Sequence, residues 1–169
     1  MYSTNNKGFT LIEILVVVVI ISILMALGVQ MISSGSVERN LQQRGKILKY
    51  SIQYACDQAT FQNRAYGIKF YSNAYGFNQF VNNEWVEVIS DQLTTIKLND
   101  GMKFALSIDG QIVVLPEDEL EIPQVSCDAT GRLTSFKLTI SDATDLHHYQ
   151  LRTTDSWEME GQWLDQVNK

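Results

Sequence analysis

The sequence predicts an α+β chain: one long N-terminal helix, its first half apolar enough for a membrane, packed on antiparallel β-sheets. Three observations predict it. An apolar run, Phe9–Val29, carries a single charge, Glu13. A helical apolar stripe continues beyond it to about Gln62. After Asn63 short apolar runs alternate with turn residues. One helix followed by many short strands is the order that segregates helix from antiparallel sheet.

Composition narrows the classes. At 169 residues the chain has room for one domain. It is 45% hydrophobic and 10% aromatic, too rich in core-forming residues for a disordered chain. Two Cys are too few for a disulfide scaffold. A net charge of −6 argues against general binding to nucleic acid. The mean hydropathy of −0.08 is that of a soluble protein, but it averages two unlike parts. Residues 1–50 hold five basic and two acidic side chains, a balance of +3. Residues 51–169 hold eight and seventeen, a balance of −9.

The first element is the apolar run. As an α-helix, Phe9–Val29 rises about 32 Å at ~1.5 Å per residue, close to a hydrocarbon core of ~30 Å. In lipid a lone segment must satisfy its own backbone, so helix is the one state open to it despite its many Val and Ile residues. A cleavable secretory signal is the alternative. Against it stand a run longer than the usual ~7–15 apolar residues, a carboxylate near its start, and a poor small-x-small site at Ala26-Leu27-Gly28. A plain anchor explains the length and leaves Glu13 unexplained. A carboxylate in a span costs about 2.5–3.5 kcal/mol even on insertion scales and marks function by default. No basic residue stands three or four positions from Glu13, so no same-helix pair forms. Its cation must come from elsewhere, unless it is protonated or reaches the interface.

Lys7-Gly8-Phe9-Thr10-Leu11-Ile12-Glu13 and the run after it resemble the class III signal of type IV pilins and type II secretion pseudopilins. The resemblance implies cleavage after Gly8 by a prepilin peptidase and N-methylation of Phe9. It implies a leader over 1–8 and a transmembrane and assembly helix over 9–29. It also supplies a partner for Glu13: the freed amino group of Phe9 on a neighbouring subunit. Two charges that are each costly in lipid become tolerable when they meet. The basic residues disagree with the implied orientation. Arg39, Arg44, Lys46 and Lys49 lie within about 20 residues of the far end of the span, which by the positive-inside count puts the body in the cytoplasm. The motif is given more weight, because large domains translocate regardless of local charge.

The second element is the continuation of the helix over 30–62. Val37, Leu41, Leu48, Ile52, Ala55 and Ala59 keep helical spacing, with Gly45 as one small position on the stripe. Ile47, Tyr54 and Phe61 are expected to widen the face. Ser33-Ser34-Gly35-Ser36 interrupts it and reads as a locally weak segment rather than a regulated hinge. No proline stands in the helix, so no proline kink is expected.

The body, 63–169, reads as β. Expected strands are Tyr66–Tyr71, Ala74–Phe80, Glu84–Ile89, Thr95–Leu98, Met102–Ile108, Gln111–Leu115, Arg132–Ser141, His147–Thr153 and Trp157–Gly161. Asn82-Asn83, Asn99-Asp100-Gly101 and Asp109-Gly110 supply the turns. Gln62-Asn63-Arg64-Ala65-Tyr66-Gly67-Ile68-Lys69-Phe70, then Ala74-Tyr75-Gly76-Phe77 and a strand with Trp85, resemble the minor pseudopilin H branch of the type IV pilin-like superfamily.

The remaining candidates have plain readings. Cys56 lies near the core stripe and Cys127 just ahead of a strand. They form a candidate disulfide in an oxidising compartment, and closing about 70 residues would add ~4 kcal/mol. Two buried free thiols are the commoner arrangement. Pro116–Pro123 reads as a solvated acidic loop without the spacing of a Ca²⁺ site. His147 and His148 point to opposite faces of a strand and cannot chelate together. Trp85, Trp157 and Trp163 read as core or edge packing. No catalytic motif is present.

The resemblance implies a minor pseudopilin of a type II secretion pseudopilus, held in the inner membrane with its C-terminal domain in the periplasm. It would help assemble the tip and export folded proteins across the outer membrane. Its partners would be the other minor pseudopilins, the major pseudopilin, the prepilin peptidase and the membrane. No cofactor, metal, nucleic acid or small-molecule substrate is expected, and no enzymatic activity. A type IV minor pilin for fimbrial assembly or DNA uptake is the nearest alternative. A membrane-anchored periplasmic ligand-binding module is the more distant one.

Overall fold

A computed structural model describes residues 11–99, 101–117 and 120–164, with the side chains of 26–34 excepted. A single helix, α1 (Leu11–Gln62), is followed by ten strands. These are β1 (Tyr66–Phe70), β2 (Ala74–Val81), β3 (Glu84–Glu87), β4 (Ile96–Lys97) and β5 (Lys103–Ile108). Then come β6 (Gln111–Val113), β7 (Val125–Cys127), β8 (Phe136–Ser141), β9 (His148–Thr153) and β10 (Met159–Leu164). The chain divides into two compact units, Met1–Val37 and Glu38–Lys169.

In the second unit the strands form two antiparallel sheets. One has the order β3-β2-β1-β7, with β4 also on β2; the other has the order β10-β9-β8-β5-β6. Local turn chemistry sets the hairpins. Asn82 and Asn83 both adopt positive φ (52° and 71°), and so do Asp109 and Gly110 (51° and 80°). Such turns twist with the strands they join. The β1–β7 pairing is different, because it joins segments far apart in sequence. Gln124 extends it: its amide donates to Phe70 O and accepts from Phe70 N, both at 2.8 Å.

The helix stripe is the core's spine. Leu41, Leu48, Ile52, Ala55 and Ala59 are buried. Opposite lies an aromatic cluster that ties the sheets together. Phe70 on β1 meets Phe104 on β5 edge-on at 5.8 Å and Phe136 on β8 at 6.4 Å. Tyr75 on β2 meets Phe77 and Phe104 edge-on. Such pairs are worth about 0.5–1.5 kcal/mol beyond their buried area. Burial pushes the Tyr75 phenol up to about 12, with the positive charge of Arg44 opposing.

Several expectations need correction. Ile47, Tyr54 and Phe61 are exposed rather than part of the buried face. Each residue turns an α-helix by about 100°, so Phe61 lies about 200° from Ala59. Cys127 does not precede a strand; it ends β7. The strand expected to begin at Arg132 begins at Phe136, after an isolated bridge between Cys127 and Leu133. Trp157 is 65% exposed rather than packed. Trp163 does pack, edge-on against Tyr149 at 5.2 Å.

Candidate functional site

The expected assembly site begins with Gly8 and Phe9, which lie outside the described residues. Glu13 lies in the first turn of α1. Its side chain is exposed and forms no ion pair among the described residues. Around it every large apolar side chain from Leu11 to Met25 is 46–85% exposed. Exposed apolar patches of this extent mark a surface that another apolar phase covers. Among the described residues no helix is long and apolar enough to cross a membrane. The described side chains of the apolar run stop at Met25, short of the Val29 end of the expected span.

Within the second unit, Cys56 on α1 and Cys127 on β7 are joined by a disulfide, with their Cα atoms 5.2 Å apart. Thr60 Oγ1 donates to the carbonyl of Cys56, one turn back along the helix. Gly131 lies against both, and a side chain there would meet Thr60 Oγ1 at 2.7 Å. The covalent tie therefore fixes the 128–131 turn on the helix.

A second polar constellation was not read from the sequence. Asp142, 9% exposed, closes the turn between β8 and β9. Its carboxylate accepts from the N–H groups of Thr144, Leu146 and His147, and from Thr144 Oγ1. Burial opposes its ionisation, but the hydrogen bonds from Thr144, His147 and Leu146 outweigh that and hold the carboxyl well below its usual range. His147 stands between Asp142, 3.6 Å away, and Glu38 on α1, 3.8 Å away. His148 faces Asp145 instead. The two imidazoles do not converge, and no group of three metal-binding side chains occurs among the described residues. An Asx-type signal, Asp142-x-Thr144, was the available clue.

The Pro116–Pro123 segment is not wholly solvated. Glu117, Glu121 and Ile122 are exposed, but Pro123 is buried against Gly67.

Comparison with known proteins agrees with this layout. The model of the prokaryotic N-terminal methylation motif matches residues 3–29. Type II secretion system protein H of Pseudomonas aeruginosa PAO1 is 30% identical over 147 residues, covering 81% of this chain and 84% of that protein. Among solved structures, the minor pseudopilin EpsH from the type II secretion system of Vibrio cholerae matches with a TM-score of 0.66 at 13% identity. That match covers 78% of this chain and 99% of EpsH. The solution structure of E. coli GspH matches with a TM-score of 0.63 at 18% identity, over 79% of this chain and 94% of that one. At such identities the two structures speak for the fold.

Proposed function

Because this chain belongs to the type II secretion system protein H family, the minor pseudopilins, we propose that it is stored in the inner membrane and drawn from there into a periplasmic pseudopilus. Residues 1–8 are the leader, removed after Gly8, and Phe9 becomes the methylated N-terminus. Residues 9–29 hold the subunit in lipid and then among neighbouring helices. Residues 30–62 continue the helix into the periplasm, and 63–169 form the β-rich body. The chain joins the other minor pseudopilins and the major pseudopilin near the tip, and the assembly moves folded proteins outward. It performs no chemistry of its own.

The observation that carries this reading is Glu13, exposed and without an ion pair among the described residues, on the stretch of α1 where every large apolar side chain from Leu11 to Met25 is exposed. A charge on such a surface needs a partner from another molecule. The amine of a neighbour's Phe9 is that partner, and the pair sets the axial register between subunits.

Glu13→Ala should leave membrane insertion intact and cut co-purification with the other pseudopilins at least tenfold. Gly8→Leu should leave the leader attached, read as slower migration on a gel. Normal assembly of the Glu13→Ala chain would remove the role given to this carboxylate.

A further inference from the structure

The first sheet has two unlike faces. Ile68, Phe70, Tyr75 and Phe77 are buried on one. The other carries a groove of about 640 Å³, within the ~300–1,000 Å³ typical of ligand-sized clefts. The register builds it. Lys69 on β1 stands opposite Gly76, and Lys97 on β4 stands opposite Ala74. Two lysines therefore flank the same short stretch of β2 from either side. The floor between them is kept low by Ala74 and Gly76; a Cβ at Gly76 would lie 2.8 Å from Thr95 Oγ1. Trp85 on β3 closes one end, its ring reaching across to Gly67.

Two features of this groove ask for a ligand. Asn78, on the floor opposite Glu87, is 4% exposed. Its side-chain amide lines the groove and makes no hydrogen bond among the described residues. Its polar atoms are not buried without a partner; they open onto the groove, where a donor–acceptor edge can pair with them. Lys69 and Lys97 have no carboxylate within 4.0 Å among the described residues. Of the groove's carboxylates, Glu87 accepts from Thr95 Oγ1 at 2.9 Å, and Glu117 is exposed.

We propose that this groove docks an extended acidic peptide segment of a neighbouring subunit of the same filament. An Asp or Glu carboxylate of that segment sits between Lys69 and Lys97, and one of its peptide groups meets the amide of Asn78. A peptide group offers one donor and one acceptor, which is what the Asn78 side chain lacks. The floor is low at Ala74 and Gly76, with the Thr95 hydroxyl beside Gly76, so an extended backbone can lie along it. A site that reads one carboxylate and one amide selects a fixed partner, and in a filament that partner is the adjacent subunit. The identity of the neighbour rests on the assembly role proposed above; the chemistry of the groove does not.

The test is photo-crosslinking of the full-length chain in its native host, with benzoylphenylalanine replacing Asn73 at the edge of the groove. The expected adduct is a peptide of another pseudopilus subunit that contains Asp or Glu. K69Q/K97Q should lower its yield at least tenfold, while K69R/K97R retains it. Both lysines lie at the surface, so folding is checked simply by leader removal and resistance to trypsin. An adduct unaffected by K69Q/K97Q overturns the proposal. So does an adduct formed only with an exported protein or a second copy of this chain, or no adduct at all. Co-purification with the other pseudopilins is read in the same cells. Its persistence without an adduct overturns the groove alone; its absence in the unmodified chain overturns the assembly role.

Discussion

Asp142 is the residue whose environment departs most from that of a surface carboxylate. Four hydrogen bonds converge on a side chain that is almost fully buried. Its folded-state pKa is lowered relative to the unfolded chain. The sign follows: folding favours the ionised form, so the stabilisation is complete above about pH 5 and is lost as pH falls through the acid range. Asp142→Asn should cost about 1–3 kcal/mol at pH 7, because a neutral amide serves three N–H donors less well. Urea unfolding at pH 7 and pH 3 should show the variant and the parent drawing together at the lower pH. Equal spacing at both values would mean that the carboxylate is not the source. In sequence Asp142 is one of many acidic residues, and only the turn that wraps it makes it special.

At the scale of elements, the helix stripe was legible because its period of 3.6 is independent of what covers it. The role of Gly45 on that stripe was not. A Cβ at Gly45 would lie 2.3 Å from Tyr149 Cε1. The ring is hemmed in, because Trp163 packs on it edge-on and its hydroxyl lies over Gly161, where a Cβ would stand 2.1 Å from it. Gly45→Ala gains about 1 kcal/mol in helix propensity, while overpacking costs about 1–3 kcal/mol. The clash is with mid-ring atoms, so the overpacking should win and the melting temperature should fall. In a Tyr149→Ala background the same change should be neutral or stabilising, which a double-mutant cycle reads directly. The strands show a similar split. Hairpins such as β2–β3 and β5–β6 announced themselves by Asn-Asn and Asp-Gly, which need only local backbone preference. β7 was missed, because its three residues pair with β1 from across the chain and Val125–Cys127 carries no turn signal of its own.

For the whole molecule, the disulfide is the strongest single tie. It joins residues 71 apart in sequence, one on the helix and one on the first sheet. In the chain-entropy account, closing such a loop adds about 4 kcal/mol. Replacing both Cys56 and Cys127 by Ser should lower unfolding stability by about that amount, and the parent treated with reductant should behave alike. A loss below about 1 kcal/mol would show that the helix is held by packing alone. The sequence left this pair between bonded and free, because spacing does not fix the distance between two Cα atoms.

The chemical division of the chain follows from the order of its residues. Hydropathy, charge and the Gly8-Phe9 motif are properties of consecutive residues, so the apolar helix with its lone Glu13 and the acidic β-rich body could be read in order. Periodicity placed the buried stripe through Leu41, Leu48, Ile52, Ala55 and Ala59 but not its width, since Ile47, Tyr54 and Phe61 are exposed, and turn residues placed most hairpins. The remaining features arise only in the folded chain. Folding joined Cys56 to Cys127, wrapped a turn round Asp142, set Tyr149 on Gly45, and placed Lys69, Asn78, Trp85 and Lys97 on one face of one sheet. Each of these depends on the register between strands or on the packing of helix against sheet. Such pairings are chosen by the summed fit of the whole core, and no single segment of sequence carries that information.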